Sequence, residues 1–219
     1  MWCITKVFFI FMKYTDDINI FKLNKDFTAE IDITGTFGHI YHYPQRMNGC
    51  LFILCLRGEC DITIHLSEHK IQKNDIVTIL PETFVHVHRQ SPDCRLYLAG
   101  FNKELLNGIN FFNSTKNYLS ALIDTPVTPL RPETSELFQD YFMLLIKMKH
   151  IEAKPNKDLL SSMLLTILHG VGNIHQNTNV TTRAFNRGEE IVKRLVQYII
   201  KHYTQERSVA FYADLLHIS

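Results

Sequence analysis

Between Thr28 and Phe101 apolar and polar positions alternate in short bursts: "TAEIDIT", "GHIYHY", "CLFILCL", "CDITIHL", "DIVTIL", "FVHVHR" and "RLYLAGF". Turn-forming residues such as Arg57-Gly58, Lys73-Asn74-Asp75, Pro81 and Ser91-Pro92-Asp93 separate them. Alternation of this kind marks strands, and several short strands at close spacing predict a sandwich or small barrel. Arg57-Gly58-Glu59 lies between two bursts and predicts a tight hairpin with Gly58 at positive φ.

After Phe101 the period lengthens to that of a helix. Leu137, Phe138, Tyr141, Leu144, Leu145 and Met148 make one stripe, introduced by Pro132 and the potential cap Thr134. Beyond the Lys154-Pro155-Asn156 break, Leu160, Leu164, Ile167, Val171 and Ile174 recur at spacings of four and three, the rhythm of a short heptad seam. Leu159, Met163 and Leu168 widen that surface. One side of the helix is therefore expected to pack internally and the seam to meet a second copy of the chain. The segment "QNTNVTTRAFNR" is polar and aperiodic and reads as a linker. Glu189 to Tyr203 is helical again, with Ile191, Leu195, Tyr198, Ile199 and His202 on one face. The pattern thus divides the chain into a tail over 1–27, a β-rich domain over 28–102, a helical dimerisation region over 103–176, a linker over 177–188 and a last helical segment over 189–219.

Composition changes this picture little. A chain of 219 residues with 46% hydrophobic content supports a real core, and a formal net charge of +1 demands no polyanionic partner overall. Locally, Arg183 to Arg207 holds six Lys or Arg against three Glu, a balance suited to lying beside phosphates. Cys3, Cys50, Cys55, Cys60 and Cys94 are odd in number and contain no C-x-x-C pair, which argues against a disulfide framework or zinc knuckle and for a reducing, cytoplasmic setting. The opening "MWCITKVFFIF" is too short to span a bilayer and no small-residue cleavage site follows. Residues 1–11 read either as an over-extended gene start preceding Met12 or as a tail.

The sharpest motif closes the chain. Ser208 is placed to cap a helix through Leu216, with Tyr212, Ala213 and Leu216 on one side, and His217-Ile218-Ser219 opens a turn in which Ser219 is placed to cap another helix. A small residue such as Ala213 lets a second helix cross closely. Read as S-V-x-x-Y-A-x-x-L-x-I-S, the stretch resembles the first half of the helix-turn-helix in AraC-type bacterial transcription regulators, and "RGEEIVKRLVQYIIKHYTQERSVAFYADLLHIS" is similar to the segment by which such regulators enter their DNA-binding domain. The β-rich region resembles the family's cupin-like N-terminal domain: "LCLRGECDITIH" is a strand-Gly-strand unit. "KNDIVTILPETFVHVH" is similar to the cupin stretch G-D-x-x-x-x-x-P with a later His, with Asn74, tolerant of the left-handed region, in the Gly position. The resemblance implies an α+β chain: a cupin-like β-barrel or jelly-roll domain, dimerisation helices, and the start of an all-α helix-turn-helix domain. Binding of DNA is then expected of a longer protein that includes the recognition helix, and the chain as a shortened form of it.

Metal chemistry has little to build on. His39 and His42 fall on opposite faces of a strand, and no Glu follows at the cupin spacing. His86 and His88 share a face, but two ligands from one strand do not make a catalytic site. Cys50, Cys55 and Cys60 recur every five residues and read as small buried hydrophobes. No metal and no cofactor is expected. A pocket lined by Phe52, Leu54, Ile62, Ile64, Phe84 and Tyr97, with Arg46, His86 and His88 at its mouth, suits a small-molecule effector; the same residues would equally fill a closed core. The reading is therefore a cytoplasmic, non-enzymatic, homodimeric regulator without a membrane partner. Its rivals are a metal-dependent cupin enzyme and a naturally shortened subunit that forms mixed dimers without binding DNA.

Overall fold

A computed structural model describes residues 27–109, 111–115, 117–151, 156–177, 191, 194, 195, 198, 202, 206 and 208–218. The chain is α+β, its strands antiparallel, and divides into two compact units, 1–108 with 127–161 and 109–126 with 162–219.

Among the described residues the first unit has nine strands: β1 Phe27–Asp32, β2 Gln45–Arg46, β3 Gly49–Arg57, β4 Glu59–Ile64, β5 Ser67–Gln72, β6 Asp75–Ile79, β7 Phe84–Gln90, β8 Arg95–Asn102 and β9 Val127–Pro129. They form a five-stranded sheet in the order β1-β8-β3-β6-β9 and a four-stranded sheet in the order β2-β7-β4-β5. Among the described residues hydrogen bonding thus runs in two separate sheets. Leu51, Ile53, Cys55, Val77, Ile79, Leu96 and Leu98 of the first sheet and Cys60, Ile62, Ile64, Ile71, Val85 and Val87 of the second belong to one buried cluster.

The two sheets differ in how their strands are written. β3, "GCLFILCLR", is buried at its first seven residues, the near-continuous apolar run of a strand covered on both faces. Its second face meets a helix, α5, which spans Pro132–Ile151. Pro132 suits the first helical turn, where no N–H is needed, and Lys149 and His150 stand at the negative end of the helix dipole. By contrast β4, "ECDITI", alternates: Cys60, Ile62 and Ile64 are buried, whereas Glu59, Asp61 and Thr63 are half-exposed.

Three local expectations are corrected. β3 and β4 are not a hairpin: they belong to different sheets, and Arg57-Gly58-Glu59 is the corner between them. Gly58 does take a positive φ of 73°, and a Cβ there would stand 2.6 Å from Cys94 Cα. The burst "GHIYHY" is not a strand, because α1, Thr36–Ile40, occupies its start. The buried Asp32 carboxylate accepts hydrogen bonds from the N–H groups of Thr34 (3.2 Å), Thr36 (2.9 Å) and Phe37 (3.0 Å) and from Gln90 Nε2 (3.2 Å), and these local bonds outweigh the alternation. Finally, β9 pairs with β6 from within a stretch expected to be helical. Asn74, with φ of 70°, adopts the left-handed conformation anticipated for it.

Four shorter helices complete the description: α2 Lys103–Gly108, α3 Phe111–Thr115, α4 Leu119–Asp124 and, at the end, α7 Val209–Leu216. The long helix α6 spans Lys157–Asn177. In the second unit Gly172 of α6 lies under the Tyr118 ring, Tyr118 Oη is hydrogen-bonded to His169 Nδ1 at 3.1 Å, and Thr125 Oγ1 to His175 Nδ1 at 3.3 Å. No helix among the described residues is long and apolar enough to cross a membrane. Of the polar segment expected as a linker, Gln176 and Asn177 end α6 and the rest lies outside the described residues, as does most of Glu189 to Tyr203, of which Ile191, Arg194, Leu195, Tyr198 and His202 are helical.

Candidate functional site

Strand parity decides where the expected pocket residues go. In β3 the odd-numbered Leu51, Ile53 and Cys55 face the other sheet, so Phe52 and Leu54 point the opposite way. Both are fully buried there. Phe52 makes an edge contact with Phe101, ring centroids 6.2 Å apart, and Tyr97 stacks on Phe142 of α5 at 5.9 Å. Ile62 and Ile64 do line the inter-sheet space, Phe84 is exposed, and Arg46 is an exposed ion-pair partner of Glu82. His86 and His88 lie on the outer face of the four-stranded sheet, because Val85 and Val87 take the inward positions of β7. Phe52, Leu54 and Tyr97 thus lie behind the five-stranded sheet, Ile62 and Ile64 between the sheets, and Arg46, Phe84, His86 and His88 outside that space. A single sequence cannot fix which parity faces inward on a strand that is apolar throughout.

The outer face of the four-stranded sheet is polar and organised. Arg89 donates from Nε to Asp61 at 2.9 Å and from Nη2 to Glu59 at 2.6 Å, and Lys70 Nζ stands 2.6 Å from the other Glu59 oxygen. The register explains this: Asp61 lies opposite both Lys70 on β5 and Arg89 on β7. A shift in register between Asp61 and Ile62 brings His88 to Thr63, Oγ1 to Nε2 at 2.6 Å, with the His86 and His88 rings 4.2 Å apart. Burial first, and the His88 imidazole second, hold His86 below the ordinary imidazole value. The hydrogen bond from Lys70 leads the causes that hold Glu59 below its usual range. Beside this network is a depression of about 420 Å³ lined by Asp61, Ile62, Glu68, His69, Lys70 and His88. Its carboxylates, ammonium and imidazole supply donors and acceptors side by side, which suits a small polar molecule. Asp61, Glu68, His69 and Lys70 were not singled out from sequence. Their polar positions on alternating strands were the available signal. Among the described residues no group of three or more His, Cys, Asp or Glu is placed to hold a metal ion.

The residues expected at a dimer seam are mostly buried in the single chain: Leu160, Leu164, Ile167 and Val171 are at most 1% exposed, and Ile174 is half-buried. The exposed large apolar side chains of the long helices are instead Leu137 and Leu144 on α5 and Leu159 on α6. Leu137, Tyr141, Leu144 and Met148 follow one another at spacings of four, three and four, with Tyr141 and Met148 half-buried.

At the C-terminal end, α7 begins after Ser208, whose backbone is extended as a capping residue requires although its side chain makes no capping bond. Tyr212 and Leu216 are buried and Ala213 is half-buried, and Tyr212 Oη donates to the Glu206 carbonyl at 2.9 Å. His217 is left-handed (φ 54°), with its N–H directed to the Asp214 carbonyl and that of Ile218 to Ala213, each at 3.1 Å. That is the closing geometry of a helix that ends in a turn. Ser219 lies outside the described residues.

The class of fold is thus an antiparallel two-sheet α+β unit joined to a helical unit. Solved structures similar to it include the AraC-like transcriptional activator CuxR, with 12% identity over 78% of this chain and 58% of that one, at a TM-score of 0.46. They also include apo ToxT K231A of Vibrio cholerae, with 8% identity over 90% of this chain and 72% of that one, at 0.42. The cupin domain of Schizosaccharomyces pombe Cnp3 aligns at 0.28, with 13% identity over 42% of this chain and 67% of that one. The chain spans little more than half the length of CuxR. No family model and no curated protein matches. At such identities, function has to be read from the chain's own residues.

Proposed function

We propose that the chain is the sensing and dimerising part of a DNA-binding transcription regulator of the AraC type, leading into a helix-turn-helix. The observation that carries this is α7: an eight-residue helix with small Ala213 in its middle, a buried Tyr212 and Leu216, and a left-handed exit at His217, in a stretch that reads S-V-x-x-Y-A-x-x-L-x-I-S. A supporting helix of a two-helix DNA reader needs these properties, since its partner must cross close over a small side chain after a short turn. The excess of Lys and Arg from Arg183 to Arg207 lies just before it.

In this reading a second copy docks on α5. The exposed Leu137 and Leu144 form the centre of the contact. Glu133, Glu136 and Asp140 make the first half of the helix acidic, whereas Lys147 and His150 are exposed in the second half, so two antiparallel copies bring unlike charges together. A small polar effector is assigned to the depression lined by Glu68, Lys70 and His88. It regulates only if its affinity differs between two arrangements of the dimer.

Transcript profiling after deletion and restoration of the gene tests the reading. A small set of transcription units should change on deletion and return on restoration. An unchanged transcriptome together with accumulation of a metabolite would replace the regulator with the enzymatic alternative.

A further inference from the structure

The cysteines that sequence spacing left unrelated are gathered by the fold. Cys55 is near the end of β3 and Cys94 immediately precedes β8, the strand beside it; Cys55 lies opposite Leu96, and Cys94 is two residues before Leu96. Two residues along a strand return to the same face, so both side chains enter the inter-sheet cluster at one corner. Cys60, the second residue of β4, enters the same cluster from the opposite sheet. The Cys55 and Cys94 side chains are therefore neighbours at this corner of the cluster. Cys55 Sγ also donates toward the carbonyls of Arg57 (3.4 Å) and Gly58 (3.7 Å), and Cys94 N–H is bound to the Ser91 carbonyl at 2.9 Å. Gly58 is wedged against the Cys94 backbone while its carbonyl faces the Cys55 thiol, so the chain crosses between the sheets where the two cysteines adjoin.

We propose that Cys55 and Cys94 are a redox pair that closes to a disulfide when the protein meets a peroxide. In the first step the Cys94 sulfur attacks the peroxide oxygen, giving a sulfenic acid and, from hydrogen peroxide, one water. In the second the Cys55 sulfur attacks that sulfenic sulfur, the S–S bond forms and a second water leaves; two thiols are oxidised and one peroxide is reduced. The order of events follows from the surroundings. The neighbouring Cys55 thiol, and after it Gln90, hold the Cys94 thiol below its ordinary value against the effect of burial, whereas the neighbouring Cys94 thiol and burial push that of Cys55 up. Cys94 is buried in the resting fold, but Pro92 and Asp93 immediately before it are exposed, and displacement of this short turn admits a small oxidant. A disulfide that forms and is reduced again is compatible with a reducing compartment, unlike a permanent framework. The pair is independent of the regulator reading, since any protein with this corner would carry it.

The test is peptide mapping of the reduced, folded protein after treatment with hydrogen peroxide and quenching with an alkylating agent. The expected result is a monomer two hydrogens lighter, a Cys55–Cys94 cross-linked peptide, loss of alkylation at those two sites on unfolding, and reversal by dithiothreitol. The cross-link should persist in Cys60→Ser and be lost in Cys55→Ser, where Cys94 should stop at the sulfenic acid or go on to the sulfinic acid. Because the mapping uses the unaltered protein, a variant that fails to fold leaves it intact. A cross-link joining Cys60 instead, over-oxidation of Cys94 in the unaltered protein without any cross-link, or no reaction until the protein unfolds would each overturn the proposal.

Discussion

The two sheets of the first unit share a core yet differ in what lies behind them. The five-stranded sheet backs onto α5, where Tyr97 stacks on Phe142, whereas the four-stranded sheet turns Glu59, Asp61, Thr63, Lys70 and Arg89 to solvent. The lesson is that chemistry able to meet a ligand concentrates where a sheet has only one buried face. Phe52 and Tyr97, which looked like pocket lining, belong to the face a helix covers, while Phe84 is exposed.

Mutations on the two faces should differ accordingly. Phe52→Ala removes a fully buried ring and should destabilise by about 3–5 kcal/mol in urea denaturation. Arg89→Ala, on the exposed ion-pair network, should lower the denaturation midpoint only slightly, and that small effect should vanish at high salt. Equal effects would break the distinction. Gly58→Ala forces a Cβ into the corner at positive φ, and a loss of about 2–4 kcal/mol is expected from strain and overpacking together. Thr78 lies opposite Phe52, and its Oγ1 is the one buried side-chain N or O without a hydrogen-bond partner among the described residues. Thr78→Val should therefore stabilise, by about 1 kcal/mol, measured as a raised denaturation midpoint.

The smallest effect expected is on pH. His65, His86 and His175 are each held below the ordinary imidazole value of 6.5, with burial the first cause in every case. Below that value the unfolded chain binds more protons than the folded one, so stability is full above it and declines as pH falls through it toward the lower folded values. Melting temperature measured across this range should show the decline, with a shallower slope in His86→Gln. A melting temperature that rises on acidification would reverse the assignment.

Much of the β-unit was legible, because "CLFILCL" and "CDITIHL" announce two-face and one-face burial directly and Gly58 and Asn74 announce their backbone conformations. What stayed hidden was what periodicity does not record, strand partners and side-chain hydrogen bonds to the backbone. No feature of Arg57-Gly58-Glu59 says whether the strands it joins pair with one another or with β8 and β7. α1 depends on the Asp32 carboxylate reaching three N–H groups, and β9 on an edge offered by β6, neither of which periodicity registers. The site was legible only in its residue types: His86 and His88 are neighbours as expected, but their face was set by Val85 and Val87. In α6 the heptad rhythm was real, yet a 3.6-residue apolar stripe does not distinguish an internal face from a seam.

The central claim is that this chain belongs to a regulator that occupies DNA as a dimer. Chromatin immunoprecipitation of the native gene's product tests it most directly, compared with the same product carrying Leu137→Asp and Leu144→Asp. Discrete occupancy upstream of a few transcription units, strongly reduced by the double substitution at equal protein level, is the predicted result. A uniform background from the unaltered protein would contradict DNA recognition, and undiminished occupancy by the variant would contradict dimerisation through α5.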